Sequence, residues 1–331
     1  MENRKNRTGI LLINLGTPEG TDSKNVRKYL REFLSDRRVI EWPRIFWYPI
    51  LYGIVLNVRP KKSGALYKRI WNNELNESPL RTYTRAQAQK LGVLLGQADV
   101  MVEWAMRYGQ PSIDTVANRM IDEGCERILF FPLYPQYSAT TTATVLDAVF
   151  DSLKKRRFLP AIRTVPPYSD DPVYIDALAH SIKAHLQQLD FVPEKIIASY
   201  HGVPQSYVKR GDPYREECQR TTAALRQKLA MDEDQLLMAF QSRFGPEEWL
   251  QPYTSVTVEK LAKQGIKSIA ICNPGFVADC LETVDEMGHE AQKTFHENGG
   301  IHFSHIPCLN DSDDGMKVIA HLVKRELQGW L

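Results

Sequence analysis

Short apolar runs alternate along the chain with longer segments in which apolar residues recur at helical spacing. Eight runs of five to seven residues predict β-strands at 9–15, 100–105, 127–132, 161–165, 195–200, 236–240, 267–272 and 301–306. The helical spacing predicts helices at 25–34, 113–123, 177–188, 214–229, 255–264 and 315–328. This alternation indicates an α/β fold whose parallel sheets are covered by helices on both faces.

The two halves of the chain resemble each other, which indicates an internal duplication. Leu-Gly-Thr-Pro at 15–18 matches His-Gly-Val-Pro at 201–204, and each follows a predicted strand. Arg-Tyr-Gly at 107–109 matches Arg-Phe-Gly at 243–245. From Gly16 to Arg107 the distance is 91 positions, whereas the matching distance in the second half is 41, so the first half carries 50 additional residues.

We therefore expect two duplicated α/β domains, 1–170 with the insertion and 171–331 without it. Asp-Asp-Pro at 170–172 marks the predicted change of domain. A chain of 331 residues is long enough for two such cores. Neither half contains a GxGxxG or GxxxxGK[ST] motif, so the sequence does not support a nucleotide cofactor.

One segment inside the insertion, 45–58, is almost entirely apolar and rich in aromatic residues, and it lies between Arg44 and Arg59. It is too short to span a bilayer, which takes about 20 residues. One interpretation is a buried core helix, and the other is an exposed lip that contacts a membrane surface or a large flat ligand. Both interpretations hold if only one face of the segment packs.

Charge and cysteine content narrow the class of protein. A net charge of +2 provides no concentrated basic face, so we expect no nucleic-acid partner. The five cysteines include no CxxC pair, which argues against a disulfide framework or a zinc knuckle and favours a reducing cytoplasm. Residues 1–8 lack the apolar core of a signal peptide, so we do not expect export.

His201 is the first candidate for chemistry. It follows the fifth predicted strand, and Gly202 and Pro204 turn the chain behind it. The imidazole is therefore expected at the carboxyl edge of a sheet, where open α/β folds bind ligands. A neutral imidazole accepts a proton or binds a metal near neutral pH.

A series of carboxylates follows the seventh predicted strand. Glu282, Glu286 and Glu290 recur at i, i+4 and i+8, so on a helix they form one stripe. We expect that helix to begin at Pro274, directly after the strand, and the stripe to bind a hard cation or conduct protons. The alternative is a solvated acidic face, with Asp279 favoured near the helix N-terminus by the macrodipole.

The segment 196–214, Ile-Ile-Ala-Ser-Tyr-His-Gly-Val-Pro-Gln-Ser-Tyr-Val-Lys-Arg-Gly-Asp-Pro-Tyr, closely resembles the signature segment of ferrochelatases. Supporting matches cover nearly the whole chain, at 14–19, 33–37, 67–70, 78–80, 106–109, 134–138, 244–249 and 281–283. The resemblance implies two Rossmann-like domains, each with a parallel four-stranded sheet. It also implies a lyase that inserts Fe²⁺ into protoporphyrin IX to form haem, the terminal step of haem biosynthesis.

The resemblance also implies roles for individual residues. By matching position, His201 is the catalytic histidine that takes pyrrole protons or meets the metal, and Glu282 is its acidic partner. Glu286, Glu290 and Asp279 form the implied path for protons or metal. The implied porphyrin-binding residues are Tyr67, Arg107, Tyr108, Trp249 and Trp47. Residues 42–58 match the family's lip, which shapes the mouth of the pocket and in some members contacts the membrane.

The sequence departs from some family members at the positions of a [2Fe-2S] cluster. Ala139 stands where those members have a cysteine, and no cysteine-rich extension follows near Leu331. We therefore expect no cluster and no required cofactor, with Fe²⁺ as a substrate. Cys280 stands where animal members often have histidine, which changes the surroundings of the approaching iron.

Two alternatives remain open at this point. The chain is compatible with another tetrapyrrole chelatase, acting on coproporphyrin or inserting cobalt. It is also compatible with a non-catalytic haem or metal carrier that uses the same pocket. We expect a cytoplasmic location, with peripheral contact at the inner membrane through residues 42–58.

Overall fold

Eight β-strands lie at the predicted positions in the computed structural model, which describes residues 7–331. Their bounds are β1 Arg7–Gly16, β2 Val100–Tyr108, β3 Cys125–Pro132, β4 Ala161–Thr164, β5 Lys195–His201, β6 Leu236–Gln241, β7 Ser268–Cys272 and β8 His302–His305. They form two four-stranded sheets, ordered β2-β1-β3-β4 and β6-β5-β7-β8, and every neighbouring pair is parallel. The parallel α/β fold is confirmed, and the equivalent strand orders agree with a duplication.

Helices connect these strands, and the six predicted helices are present. The bounds are α1 Ser23–Leu34, α2 Arg44–Ile50, α3 Leu56–Ile70, α4 Pro79–Leu95, α5 Ile113–Asp122, α6 Thr144–Leu153, α7 Pro172–Leu186, α8 Gln205–Lys209, α9 Tyr214–Leu229, α10 Thr254–Lys263, α11 Ala291–Glu297 and α12 Asp313–Glu326. Three further segments, Leu51–Val55, Ala139–Ala143 and Glu282–Glu290, are π-helical. Helix α7 begins five residues before the predicted position because Asp171 caps it and Pro172 suits its first turn.

The inner strands β1 and β5 explain why the sequence shows continuous apolar runs rather than strict alternation. Each is hydrogen-bonded to a strand on both sides, and helices pack on both faces of its sheet. Ile10, Leu11, Leu12 and Ile13 are fully buried in β1, and the residues from Ile196 to Tyr200 are buried in β5. A strand buried on both faces favours apolar residues at successive positions.

A glycine at the carboxyl end of β1 and another just after β5 permit close approach to the neighbouring strand. A Cβ at Gly16 would lie 1.9 Å from the Tyr108 carbonyl oxygen, and one at Gly202 would lie 3.0 Å from that of Gln241. Any larger residue would push β2 or β6 away from the carboxyl end of its sheet. Gly202 therefore preserves the sheet edge at which His201 lies, and Gly16 does the same for the equivalent edge of the first sheet.

The apolar segment, residues 42–58, forms α2, a π-helical turn and the start of α3. One face packs into its own unit, with Trp47 and Leu51 buried. The opposite face leaves Ile45 77% exposed, Phe46 66% exposed and Ile54 61% exposed. One face is therefore core and the other is an exposed apolar surface, while contact of that surface with a membrane or a flat ligand remains a prediction.

The chain divides into two compact units. Among the described residues, the first comprises 7–133, 138–166 and 319–331, and the second comprises 134–137 and 167–318. Contacts with Arg163 explain why residues 319–331 belong to the first unit. Arg163 donates to the Glu326 and Gln328 carbonyl oxygens and its guanidinium lies over the Trp330 ring. The division at residue 170 into two evolutionary domains remains a prediction, distinct from this contact-based division.

Candidate functional site

His201 is the last residue of β5, at the carboxyl edge of the second sheet. Its Nδ1 lies 2.7 Å from the Gly202 carbonyl oxygen. Because a carbonyl oxygen only accepts hydrogen bonds, Nδ1 carries the proton, which leaves the lone pair on Nε2. The half-buried imidazole is therefore held in the tautomer that can accept a proton or bind a metal through Nε2.

Trp249 flanks the imidazole of His201. Their ring centroids are 6.2 Å apart and the ring planes are inclined by 47°. Gly202 makes this arrangement possible, because a Cβ there would lie 3.1 Å from Trp249 Cε3. Trp249, a predicted porphyrin-binding residue, is half-buried and lies directly beside the candidate base.

The acidic series lies on the π-helical segment Glu282–Glu290. The prediction that a helix begins at Pro274 is wrong, because residues 273–280 form an irregular connection between β7 and the helical residues that begin at 281. Exposure increases along the series: Glu282 and Glu286 are half-buried and Glu290 is exposed. The carboxylates therefore lead from the partly buried start of the helix to solvent, as predicted, but on an i→i+5 helix rather than an α-helix.

The carboxylate of Glu286 is held at both of its oxygens by Ser242. The Ser242 backbone N–H donates to its Oε1 at 2.7 Å, and the Ser242 hydroxyl donates to its Oε2 at 2.5 Å. Burial raises the pKa of Glu286, opposed by the Ser242 hydrogen bonds and by the charge of His201, while Glu282 raises it further. Glu286 is thus close enough to both His201 and Glu282 for their charges to affect its pKa.

The side-chain amide of Gln241 joins the strand ends to the π-helix. Its Nε2 donates to the Glu282 carbonyl oxygen at 2.7 Å, and its Oε1 accepts from Ser199 Oγ at 2.7 Å and from Asn273 Nδ2 at 2.8 Å. Asn273 Oδ1 in turn accepts from His305 Nε2 at 3.0 Å. We call these four side chains the edge network: Ser199 on β5, Gln241 on β6, Asn273 after β7 and His305 on β8.

Sequence reasoning assigned no role to the edge network or to Ser242. The sequence nevertheless contained a signal for three of these residues. Like His201, Gln241, Asn273 and His305 are polar residues at or directly after the carboxyl end of a strand. His201 and Gln241 are also direct register partners in neighbouring strands. Strand order was needed to recognise that relation, because 40 residues separate them along the chain.

Asp279 differs from the other acids in the implied path because it is buried and its carboxylate is fully engaged. It accepts from Thr283 Oγ1 at 2.9 Å, from Asn310 Nδ2 at 2.7 Å and from the Cys308 N–H at 3.3 Å. Thr283 Oγ1 also accepts from the Cys280 N–H. This arrangement anchors the start of the π-helix, and a role for Asp279 in transport remains a prediction.

The other predicted porphyrin-binding residues lie in the first unit. Arg107 Nη2 pairs with Asp36 at 2.5 Å, and the Tyr108 hydroxyl donates to the same carboxylate at 2.8 Å. Arg107 also lines an open pocket of about 650 Å³. Trp47 and Tyr67 are buried, and the Trp47 indole donates to the Leu34 carbonyl oxygen. Contact of these residues with a porphyrin remains a prediction.

Residues 7–331 contain neither a clustered metal site nor a membrane-crossing helix. No group of three or more His, Cys, Asp or Glu side chains is arranged to hold a metal ion there. The same part of the chain contains no helix with the length and apolarity that crossing a membrane requires. The five cysteines are all buried and none forms a disulfide.

Comparison with known proteins decides the family. The family model described as Ferrochelatase matches residues 7–327. The chain belongs to the ferrochelatase family. Ferrochelatases of Brucella anthropi and Brucella ovis are each 66% identical over 326 residues, covering 98% of this chain and 93% of theirs. The prediction of a lyase of haem biosynthesis is therefore confirmed.

Solved structures show the same fold at much lower identity. SirB from Bacillus subtilis with Fe³⁺ has a TM-score of 0.56 and 13% identity, covering 97% of this chain and 95% of SirB. The sirohydrochlorin chelatase SirB from Bacillus subtilis subspecies spizizenii, in complex with cobalt, has a TM-score of 0.56 and 10% identity, covering 98% and 96%. These matches confirm the predicted chelatase-like fold.

The edge network predicts a pH dependence of stability. Burial lowers the pKa of His305 below 6.5, because the folded state disfavours the charged ring. The unfolded chain then binds more protons, so this stability is present above pH 6.5 and is lost as pH falls through the folded-state pKa. We expect His305→Gln to reduce the loss of stability between about pH 7.5 and 5.5, measured by urea unfolding.

The control for this prediction is His302→Gln, on the same strand, because His302 is exposed. That variant should keep the wild-type pH dependence. An unchanged dependence in His305→Gln would contradict a buried neutral His305.

Proposed function

We propose that the chain inserts Fe²⁺ into protoporphyrin IX, with His201 and Glu282 as the residues that act on the pyrrole protons and the metal. Insertion removes two N–H protons from the macrocycle and brings in a dication, so a base and anionic oxygen ligands are required. The observation that carries the proposal is His201, held with Nε2 available, whose register partner Gln241 is hydrogen-bonded to the main chain of Glu282. Imidazole and carboxylate both serve as ligands for divalent metals.

In this proposal His201 Nε2 accepts pyrrole protons, and Glu282 takes part in metal transfer beside it. Glu286 and Glu290 continue the acidic series toward solvent, which suits the entry of cations or the release of protons. Asp279 belongs to the same proposed path, and its hydrogen bonds supply an anchor for the helix that carries the series. The pyrrole protons thus pass from the macrocycle nitrogens to His201 Nε2 and from there to carboxylate oxygens of the acidic series.

The proposed porphyrin-binding residues divide by exposure. Trp249 offers a ring face beside His201, and a large planar ligand gains from such aromatic contact. Arg107 borders an open pocket and can share its charge between Asp36 and a propionate, supported by Tyr108. Trp47 and Tyr67 are buried, so we assign them the support of the pocket wall.

We propose that no [2Fe-2S] cluster is present and that iron serves only as substrate. Ala139 cannot supply a thiolate, and all five cysteines are buried. Burial raises the pKa of Cys280 and Cys308, which disfavours the thiolate that a cluster requires.

The test is anaerobic incubation with Fe²⁺ and either protoporphyrin or coproporphyrin, followed by absorbance. We expect faster insertion into protoporphyrin and, in His201→Ala, a loss of at least about a hundredfold in rate with porphyrin binding retained. Glu282→Gln should also insert much more slowly, because the helix keeps its backbone contacts but loses one negative charge.

The matched control is His302→Ala, since His302 begins β8 and so lies at the opposite edge of the sheet from His201. It should retain the wild-type rate. Retained insertion in His201→Ala would contradict the assigned base, and binding without insertion in the wild type would identify a carrier. Faster insertion into coproporphyrin would assign that substrate instead.

We further propose a cytoplasmic location with peripheral membrane contact through the apolar segment, residues 42–58. Its exposed face includes Ile45, Phe46 and Ile54, and Arg44 lies at its start. Exposed aromatic and aliphatic side chains suit the interface of a bilayer, whereas the Arg44 guanidinium is buried over the Tyr48 ring.

The double variant Ile45→Glu/Phe46→Glu should reduce co-sedimentation with anionic lipid vesicles by about tenfold or more, because each apolar side chain contributes roughly 1.5–3 kcal/mol when buried. Val93→Glu provides the control, since Val93 is 82% exposed but lies on α4. Equal sedimentation of all three proteins would show that the apolar segment does not contact the membrane.

A further inference from the structure

Ser242 has a backbone conformation that residues with side chains rarely adopt. It directly follows β6 and has a φ of 65°, in the left-handed region that normally favours glycine. Such conformations persist where the surrounding structure enforces them, and they concentrate at functional sites. Here the enforcing contacts are identifiable, because both polar donors of Ser242 meet one carboxylate.

The two donors of Ser242 bind the two oxygens of Glu286 separately. The N–H contacts Oε1 at 2.7 Å and the hydroxyl contacts Oε2 at 2.5 Å, while Gln241 Nε2 approaches Oε2 at 3.4 Å. Two separate hydrogen bonds fix the rotation of the carboxylate as well as its position. Glycine would adopt the backbone conformation more readily but would lack the second donor.

We propose that Ser242 is a positioning residue for metal delivery, which holds the Glu286 carboxylate in one orientation next to His201 and Glu282. This inference rests on the proposed function, in which Glu286 belongs to the path. A carboxylate with a fixed orientation presents its remaining lone pairs in one direction, so a cation passing along the acidic series meets a preformed ligand. The cost of left-handed backbone at a serine is then offset by the hydroxyl contact.

Ser242→Ala removes only the hydroxyl, since alanine and serine are similarly disfavoured at this φ. Loss of one charge-assisted hydrogen bond should raise the KM for Fe²⁺ roughly tenfold and leave the KM for porphyrin unchanged. Ser242→Gly relaxes the backbone and should show the same rise in metal KM, which separates the missing hydroxyl from a folding defect.

The control pair is Ser206 and Glu247, in which the Ser206 hydroxyl donates to Glu247 Oε2 at 3.1 Å. Ser206→Ala removes an equivalent bond away from the acidic series and should leave both KM values unchanged. In a Glu286→Ala background, Ser242→Ala should cause no further rise in metal KM, because its partner is absent.

The inference is overturned if Ser242→Ala leaves metal KM unchanged, if it alters porphyrin KM equally, or if its effect persists undiminished in the Glu286→Ala background. Failure of the proposed function has a different signature, namely a wild-type protein that inserts no iron into either porphyrin. If Glu286→Ala is too slow to assay, the difference between metal and porphyrin KM in the single variants decides.

Discussion

The candidate site depends on the hydrogen bonding of one buried amide, the side chain of Gln241. It accepts from Ser199 and Asn273 on one side and donates to the main chain of Glu282 on the other. Because Gln241 is buried, each unmade hydrogen bond there would leave a desolvated polar group, at a cost of about 1–3 kcal/mol. The amide can satisfy all of its partners only with the π-helix docked at the sheet edge, so it fixes where the acidic series begins.

The duplication explains why such different chemistry arises from equivalent positions. Gly16 and Gly202 each bring a neighbouring strand close, and Met106 and Phe240 each donate a backbone hydrogen bond to a proline carbonyl beyond the strand end. The frame is thus the same in both units. In the first unit Arg107, the arginine of the repeated Arg-Tyr-Gly motif, is paired with Asp36. The second unit instead has His201 and the acidic series at its sheet edge.

Much of the fold could be predicted because buried strands and amphipathic helices leave direct patterns in the sequence. His201 was identified for the same reason, since it stands between an apolar run and a turn. The start of the π-helix was missed because the Asp279 carboxylate that accepts from Thr283 is itself held by Asn310, 31 positions away, which no local pattern reveals. Ser242 was missed because serine in a left-handed conformation is recognisable only from the backbone.

The central claim is that Gln241 holds the Glu282 helix beside His201, and the most direct measurement is the rate of Fe²⁺ insertion by Gln241→Met. Methionine has a similar length but can make none of the strong hydrogen bonds. Loss of these contacts, each worth about 1 kcal/mol or more, predicts a rate at least about tenfold lower in a folded protein that still binds porphyrin. A folded Gln241→Met protein with the wild-type rate would contradict the account.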